Sequence, residues 1–129
     1  MPSRDRVNAF VAAVVSGEHV RAIADFYHAD ATMQENLAPP RRGRDVLMAH
    51  EQRALDRVAR VDSRAGVVVV DGDHVVVRWT FDMVGRDGVV RRLEEVAMQR
   101  WDGDRIAEEQ FFYDTATAWQ VVEPPADSA

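Results

Sequence analysis

Apolar residues recur at helical spacing from Asp5 to Gly17, with Val7, Phe10, Val11, Val14 and Val15 on one side and Gly17 as the stop. The run Val20, Ile23, Ala24, Phe26, Tyr27 predicts a second, short helix ending before His28, and Ala31 to Asn36 a short strand. Leu37 to Gly43 contains Pro39-Pro40 and reads as loop, because proline has no N–H to give a ladder. From Arg44 to about Arg60, Leu47, Ala54, Leu55 and Val58 restore helical spacing, with Asp45 in the first turn and Arg57 and Arg60 in the last. That charge order suits the helix dipole. The second half changes period. Val67 to Val70 and Val75 to Met83 are rich in β-branched and aromatic residues around Asp71-Gly72-Asp73, which carries hairpin chemistry. Turns at Arg86-Asp87-Gly88 and Asp102-Gly103-Asp104 bound strands Val89 to Trp101 and Arg105 to Asp114, completing an antiparallel meander. Three helices followed by hairpin-linked strands predict an α+β arrangement with the helices on one face of a curved sheet.

Composition narrows the chemistry. A chain of 129 residues, 47% hydrophobic and 29% charged, fits one domain spanning 1–129, with a core at about 5–120 and a tail at 121–129 that frays from Pro124-Pro125. Neither a membrane span nor a secretory leader fits, so a cytoplasmic protein with no membrane partner is expected. The absence of cysteine excludes disulfides and thiolate metal sites. All 16 basic residues are arginine, which excludes a Schiff-base lysine, and a formal charge of −6 argues against nucleic acid. No His or carboxylate cluster has metal-ligand spacing, and phosphate loops, nucleophile elbows and dinucleotide fingerprints are missing, so no metal and no cofactor are expected.

Several segments carry a resemblance: Phe26-Tyr27-His28-Ala29-Asp30-Ala31-Thr32 leading into a strand, Pro39-Pro40, Gly43-Arg44-Asp45 opening a helix, and Trp101-Asp102-Gly103-Asp104-Arg105-Ile106 near the end. Their order resembles the nuclear transport factor 2-like superfamily, in its SnoaL-like polyketide cyclase and ketosteroid isomerase branch, over residues 5 to 120. The resemblance implies a cystatin-like cone, a curved antiparallel sheet wrapped around three N-terminal helices, an apolar pocket for a small hydrophobic molecule, and a homodimer. Asp30-Ala31-Thr32-Met33-Gln34-Glu35 is similar to the isomerase segment that ends in the proton-moving carboxylate, which implies Glu35 as base. The same comparison sets Phe10 and Ala97 where the isomerases carry enolate hydrogen-bond donors, matches Tyr27 to a pocket tyrosine, and brings Glu51, with His50 beside it, to the place of another. Similarity to limonene epoxide hydrolase assigns Asn36 to a water-positioning place but sets Trp79, Phe81 and Phe111 where that enzyme carries its Asp-Arg-Asp set. Glu95 and Asp114 are nearest the sheet carboxylate of the cyclases.

Strand alternation tests these assignments independently, because residues two apart share a face. A turn at Arg86-Asp87-Gly88 sets Trp79, Phe81 and Met83 opposite Glu95, Leu93 and Arg91. Trp79, Phe81, Phe111, Tyr113, Ala97 and Gln99 then make a largely apolar inner face, with Glu35 or Glu95 as its ionisable groups. Each has a plainer alternative. Glu35 can pair with Arg41, Arg42 or Arg44; Glu95 with Arg78, Arg91 or Arg92; Asp114 can cap a turn, and His50 can be a packed side chain. His19, His28 and His74 are expected in solvent. Two functions remain open at this point: cofactor-independent acid–base proton transfer on a hydrophobic carbonyl compound, with Glu35, Tyr27 and Glu95 as catalytic candidates, and a binding module or structural dimer that transforms nothing. In the first, Phe10, Asn36, His50 and Glu51 would contact the ligand together with Trp79, Phe81, Ala97, Phe111 and Tyr113.

Overall fold

The structure, a computed structural model, describes residues 1–123. Helix α1 (Arg4–Val15) starts where the Ser3 hydroxyl accepts from the Arg6 N–H at 3.0 Å, and α2 (His19–Phe26) follows after Gly17 turns the chain at φ 91°. Strand β1 (Tyr27–Glu35) begins directly at the end of α2, four residues before the predicted start, so Tyr27 belongs to the sheet and not to the second helix. After β2 (Arg41–Arg42), helix α3 (Arg44–Asp56) ends one turn earlier than its apolar spacing predicts, and Ala59 N–H already bonds Val84 of the sheet at 2.8 Å.

The meander is longer than its β-branched runs suggest. Strand β3 (Arg60–Asp71) has 12 residues, pairing from Arg60 opposite Val84 to Asp71 opposite His74 in β4 (His74–Val84). Strands β5 (Val90–Asp102) and β6 (Arg105–Phe112) continue antiparallel as predicted. Two features differ from a simple meander. Strand β1 joins β6 in parallel, giving the order β2-β1-β6-β5-β4-β3, so the sheet is mixed; and β7 (Gln120–Val121), which spans the predicted start of the tail at 121, pairs with β5. The last six residues of that tail, 124–129, lie outside the described residues.

The predicted face-sharing holds: Trp79, Phe81 and Met83 stand opposite Glu95, Leu93 and Arg91. Val7 and Phe10 of α1, Ile23 and Phe26 of α2, and Leu47 of α3 pack with Val75, Val77, Trp79, Ala97, Trp101 and Ile106 of the sheet. The Phe10 ring meets Phe26, Tyr27, Trp79 and Trp101 edge-on at centroid distances of 5.5 to 6.5 Å. A register shift between Arg100 and Trp101 leaves Ala107 as an extra residue in β6, which lets Ile106 and Glu109 both face inward. No helix of the described residues is long and apolar enough to cross a membrane.

Candidate functional site

Where the helices stand off the inner face of the sheet, a cavity of about 200 Å³ remains. Its apolar walls come from every layer, among them Phe10, Ile23, Leu55, Trp79, Phe81 and Phe111. Trp79 and Phe81 stack at 5.4 Å. Four carboxyl groups also line it, Glu35 on β1, Glu51 on α3, Glu95 on β5 and Glu109 on β6. Four acids in one apolar cleft are costly unless protonated, paired or liganded, so the partners of each decide its state.

Glu109 is the most enclosed, at 3% exposure. One oxygen accepts from the Tyr27 hydroxyl and the other from Gln99 Nε2 at 2.6 Å, while Trp101 Nε1 donates to Gln99 Oε1 at 2.9 Å. Burial pushes its pKa up to about 7, against the two donors, which favour the carboxylate. Burial and the adjacent Glu109 carboxyl together raise Tyr27 well above the ordinary phenol range. Tyr27 lines the cavity, but its hydroxyl is committed as a donor to Glu109.

Glu95 differs. It is 7% exposed, and among the described residues its carboxyl has no hydrogen-bond or ion-pair partner, although it lines the cavity. Glu94, its neighbour, faces solvent as alternation requires, and Arg92 pairs instead with Asp82 on the outer face at 2.7 Å. Burial, then the Glu109 charge, then those of Glu35 and Glu51, push Glu95 up to about 8, so it holds a proton at neutral pH.

Glu35 sits at the mouth with its side chain 46% exposed, 3.7 Å from Arg41 Nη1. It thus faces the cavity and also makes the ion pair that is its plainer alternative. Glu51 is raised by burial and by Glu35, and its Oε1 is 3.8 Å from His19 Nδ1. His19 departs from expectation: its side chain is only 9% exposed, it lines the cavity, and its Nε2 lies 3.3 Å from Ser63 Oγ. Burial lowers the pKa of His19, and burial with the Arg41 charge lowers that of His50, which also lines the cavity.

Three predicted ligand contacts do not line the cavity. Asn36, at φ 48°, turns the chain after β1, where its Oδ1 accepts from Tyr113 N–H at 3.0 Å. Ala97 is fully buried in the core, too short to reach the cavity. Tyr113 is at the rim, where burial and the carboxylates of Glu35 and Glu95 raise its pKa. Asp114 caps the following turn, accepting from Ala116 N–H at 2.8 Å. Three groups escaped sequence reasoning. Glu109 had a signal, standing two residues before the inward Phe111. His19 had none, since only the docking of β3 covers it. Trp119 reaches the cavity because the chain after β6 folds back, with its N–H on Arg92 O at 2.9 Å.

The family described as SnoaL-like domain matches residues 7–109. No curated protein sequence matches the chain. Among solved structures, a hypothetical protein with a ketosteroid isomerase-like fold from Catenulispora acidiphila, in complex with trimethylamine, has a TM-score of 0.74 at 19% identity, covering 90% of each chain. A putative SnoaL-like polyketide cyclase from Mesorhizobium loti gives 0.70 at 19% identity, over 88% of this chain and 100% of that one. An LEH-like epoxide hydrolase of M. tuberculosis gives 0.73 at 17% identity, over 88% of this chain and 83% of that one. At such identities the likeness is one of fold: three helices against a curved, mixed seven-stranded sheet. With four-fifths of its length inside the family match, the chain belongs to the SnoaL-like domain family.

Proposed function

We propose that the cavity performs cofactor-independent acid–base proton transfer on a small hydrophobic carbonyl compound. Glu35 at the mouth accepts the proton next to the carbonyl, leaving an enolate. The protonated Glu95 carboxyl donates a hydrogen bond to the enolate oxygen, and Glu35 then returns the proton to the same carbon or to one conjugated with it. Burial, aided by the charge of the Glu109 carboxyl that Tyr27 and Gln99 hold, keeps the proton on Glu95. The observation that carries this reading is the buried Glu95 carboxyl, open to the cavity and without a partner among the described residues.

The reading is tested by exchange of the α-protons of phenylacetone in D2O, followed by NMR. Expected is exchange above that of buffer, lost by about a hundredfold or more in Glu35→Gln and reduced in Glu95→Gln. Exchange indifferent to both substitutions would remove it. A second reading, a module that holds an apolar ligand unchanged, is favoured by one observation: Phe10 and Ala97 supply no donor where the isomerase resemblance expects two. Binding of phenylacetone without exchange would select it. Small-molecule occupancy is supported in both by the trimethylamine complex of the Catenulispora protein. We also propose a homodimer joined through the outer face of β5, where Val96 and Met98 are exposed.

A further inference from the structure

We infer that the cavity is also a site for a hydrophobic ammonium cation, its charge meeting the Glu95 carboxylate and its carbon groups the Trp79 and Phe81 rings. Three observations converge. No buried side-chain oxygen among the described residues is sealed from both solvent and a partner, so the unpartnered oxygens of Glu95 open onto the cavity. Carboxylate oxygens that face a largely apolar cavity and have no donor on the protein among the described residues are available to a donor or a cation that enters it.

The charges around Glu95 are of one sign. Glu109 faces it from β6, Glu35 from β1 and Glu51 from α3. Arg41 is the one cationic side chain lining the cavity among the described residues, and it lies at the mouth against Glu35. His19 and His50 are held toward the neutral form, and Tyr27 and Tyr113 hold their protons. An anion entering this field is repelled and a cation attracted. The wall beside Glu95 is aromatic: Trp79 is its partner across β4 and β5, and Phe81 stacks on Trp79. Indole rings are the best aromatic partners for quaternary ammonium groups.

The inference uses Glu95 in its ionised state and stands without the proton-transfer reading. It fixes the sign of a pH dependence. At neutral pH the carboxyl holds a proton that the cation must displace, so affinity rises with pH until Glu95 is ionised in the free protein, near 8, and levels above. A neutral ketone accepting a hydrogen bond from Glu95 shows the opposite trend.

The test is calorimetric titration with benzyltrimethylammonium, which keeps its charge at every pH, beside neutral phenylacetone. Expected for the cation is affinity rising about tenfold per pH unit from about pH 6 to 8, then constant to about pH 9. Glu95→Gln should reduce that slope to the part contributed by the Glu109 and Glu51 carboxyls and weaken the cation at least tenfold at about pH 9, while a single cooperative urea transition like that of the wild type shows an intact fold. No binding of the cation by the wild-type protein at pH 9, a flat pH profile, or undiminished binding by Glu95→Gln would each overturn the inference. Because α-proton exchange is scored separately, either reading can fail while the other holds.

Discussion

Glu95 and Glu109 sit where a carboxylate is least welcome, and both titrate late for the same physical reason. A carboxyl whose folded pKa is raised above its unfolded value binds more protons in the native state, so stability falls as pH climbs from the unfolded value toward the folded one. For Glu95 that window runs from about 4.5 to about 8, and for Glu109 from about 4.5 to about 7. Urea unfolding should therefore show the protein losing stability between about pH 5 and 8, on the order of a few kcal/mol. Glu95→Gln, which keeps the shape without the charge, should flatten the upper part of that curve and be more stable than wild type at about pH 8. Equal pH dependence in the two proteins would show that Glu95 ionises freely. At this scale the sequence was partly legible. Alternation alone turned Glu95 inward, and the same rule counted back from the inward Phe111 would have found Glu109, which the sequence reading passed over. What it lacked was the depth of each group: that Glu109 has two donors and Glu95 none follows from Tyr27 and Gln99, brought together from strands far apart in the chain.

Elements were legible where their own residues carried the period and failed where a neighbour imposed it. The first half of β3, Arg60–Ala65, is polar and has little strand character of its own. It extends because β4 offers a long partner, with Val61 opposite Met83 and Ser63 opposite Phe81. The same docking covers His19 through Ser63. At the end of β1, Asn36 looks like a ligand residue only by resemblance. Its φ of 48° and its bond to Tyr113 N–H make it the clasp that ends β1 beside β6. Asn36→Ala should cost about 1–3 kcal/mol in chemical unfolding, by stranding that N–H and straining the turn. It should leave phenylacetone affinity within about twofold, and a tenfold loss with unchanged stability would return Asn36 to the binding site.

For the whole molecule, the fold class was readable from element order, whereas the neighbours of β1 were not. Hairpin turns announce antiparallel partners, but nothing local announces that β1 runs parallel to β6 some 75 residues away, as Glu35 and Phe111 do. The outer face of the sheet carries the dimer proposal. Val96 and Met98 on β5 and Phe112 on β6 are 38%, 47% and 42% exposed, a patch that a second copy of the chain would cover. If so, light scattering should find a dimer, and Met98→Glu should shift it toward monomer with cavity affinities unchanged. A wild-type monomer at all concentrations would end the proposal.

The parallel seam between β1 and β6 also bears on how the chain is made. Translation delivers residues 27–35 long before 106–111, so β1 must wait for its main partner while β3, β4 and β5 can already zip locally. Throughout that interval Tyr27 has no Glu109 to receive its hydroxyl, and the inner end of the cleft does not exist. Closure of the sheet and assembly of the acidic cleft are thus one event, which waits for β6 to be made, and a nascent chain that has not reached β6 has no half-built site to occupy.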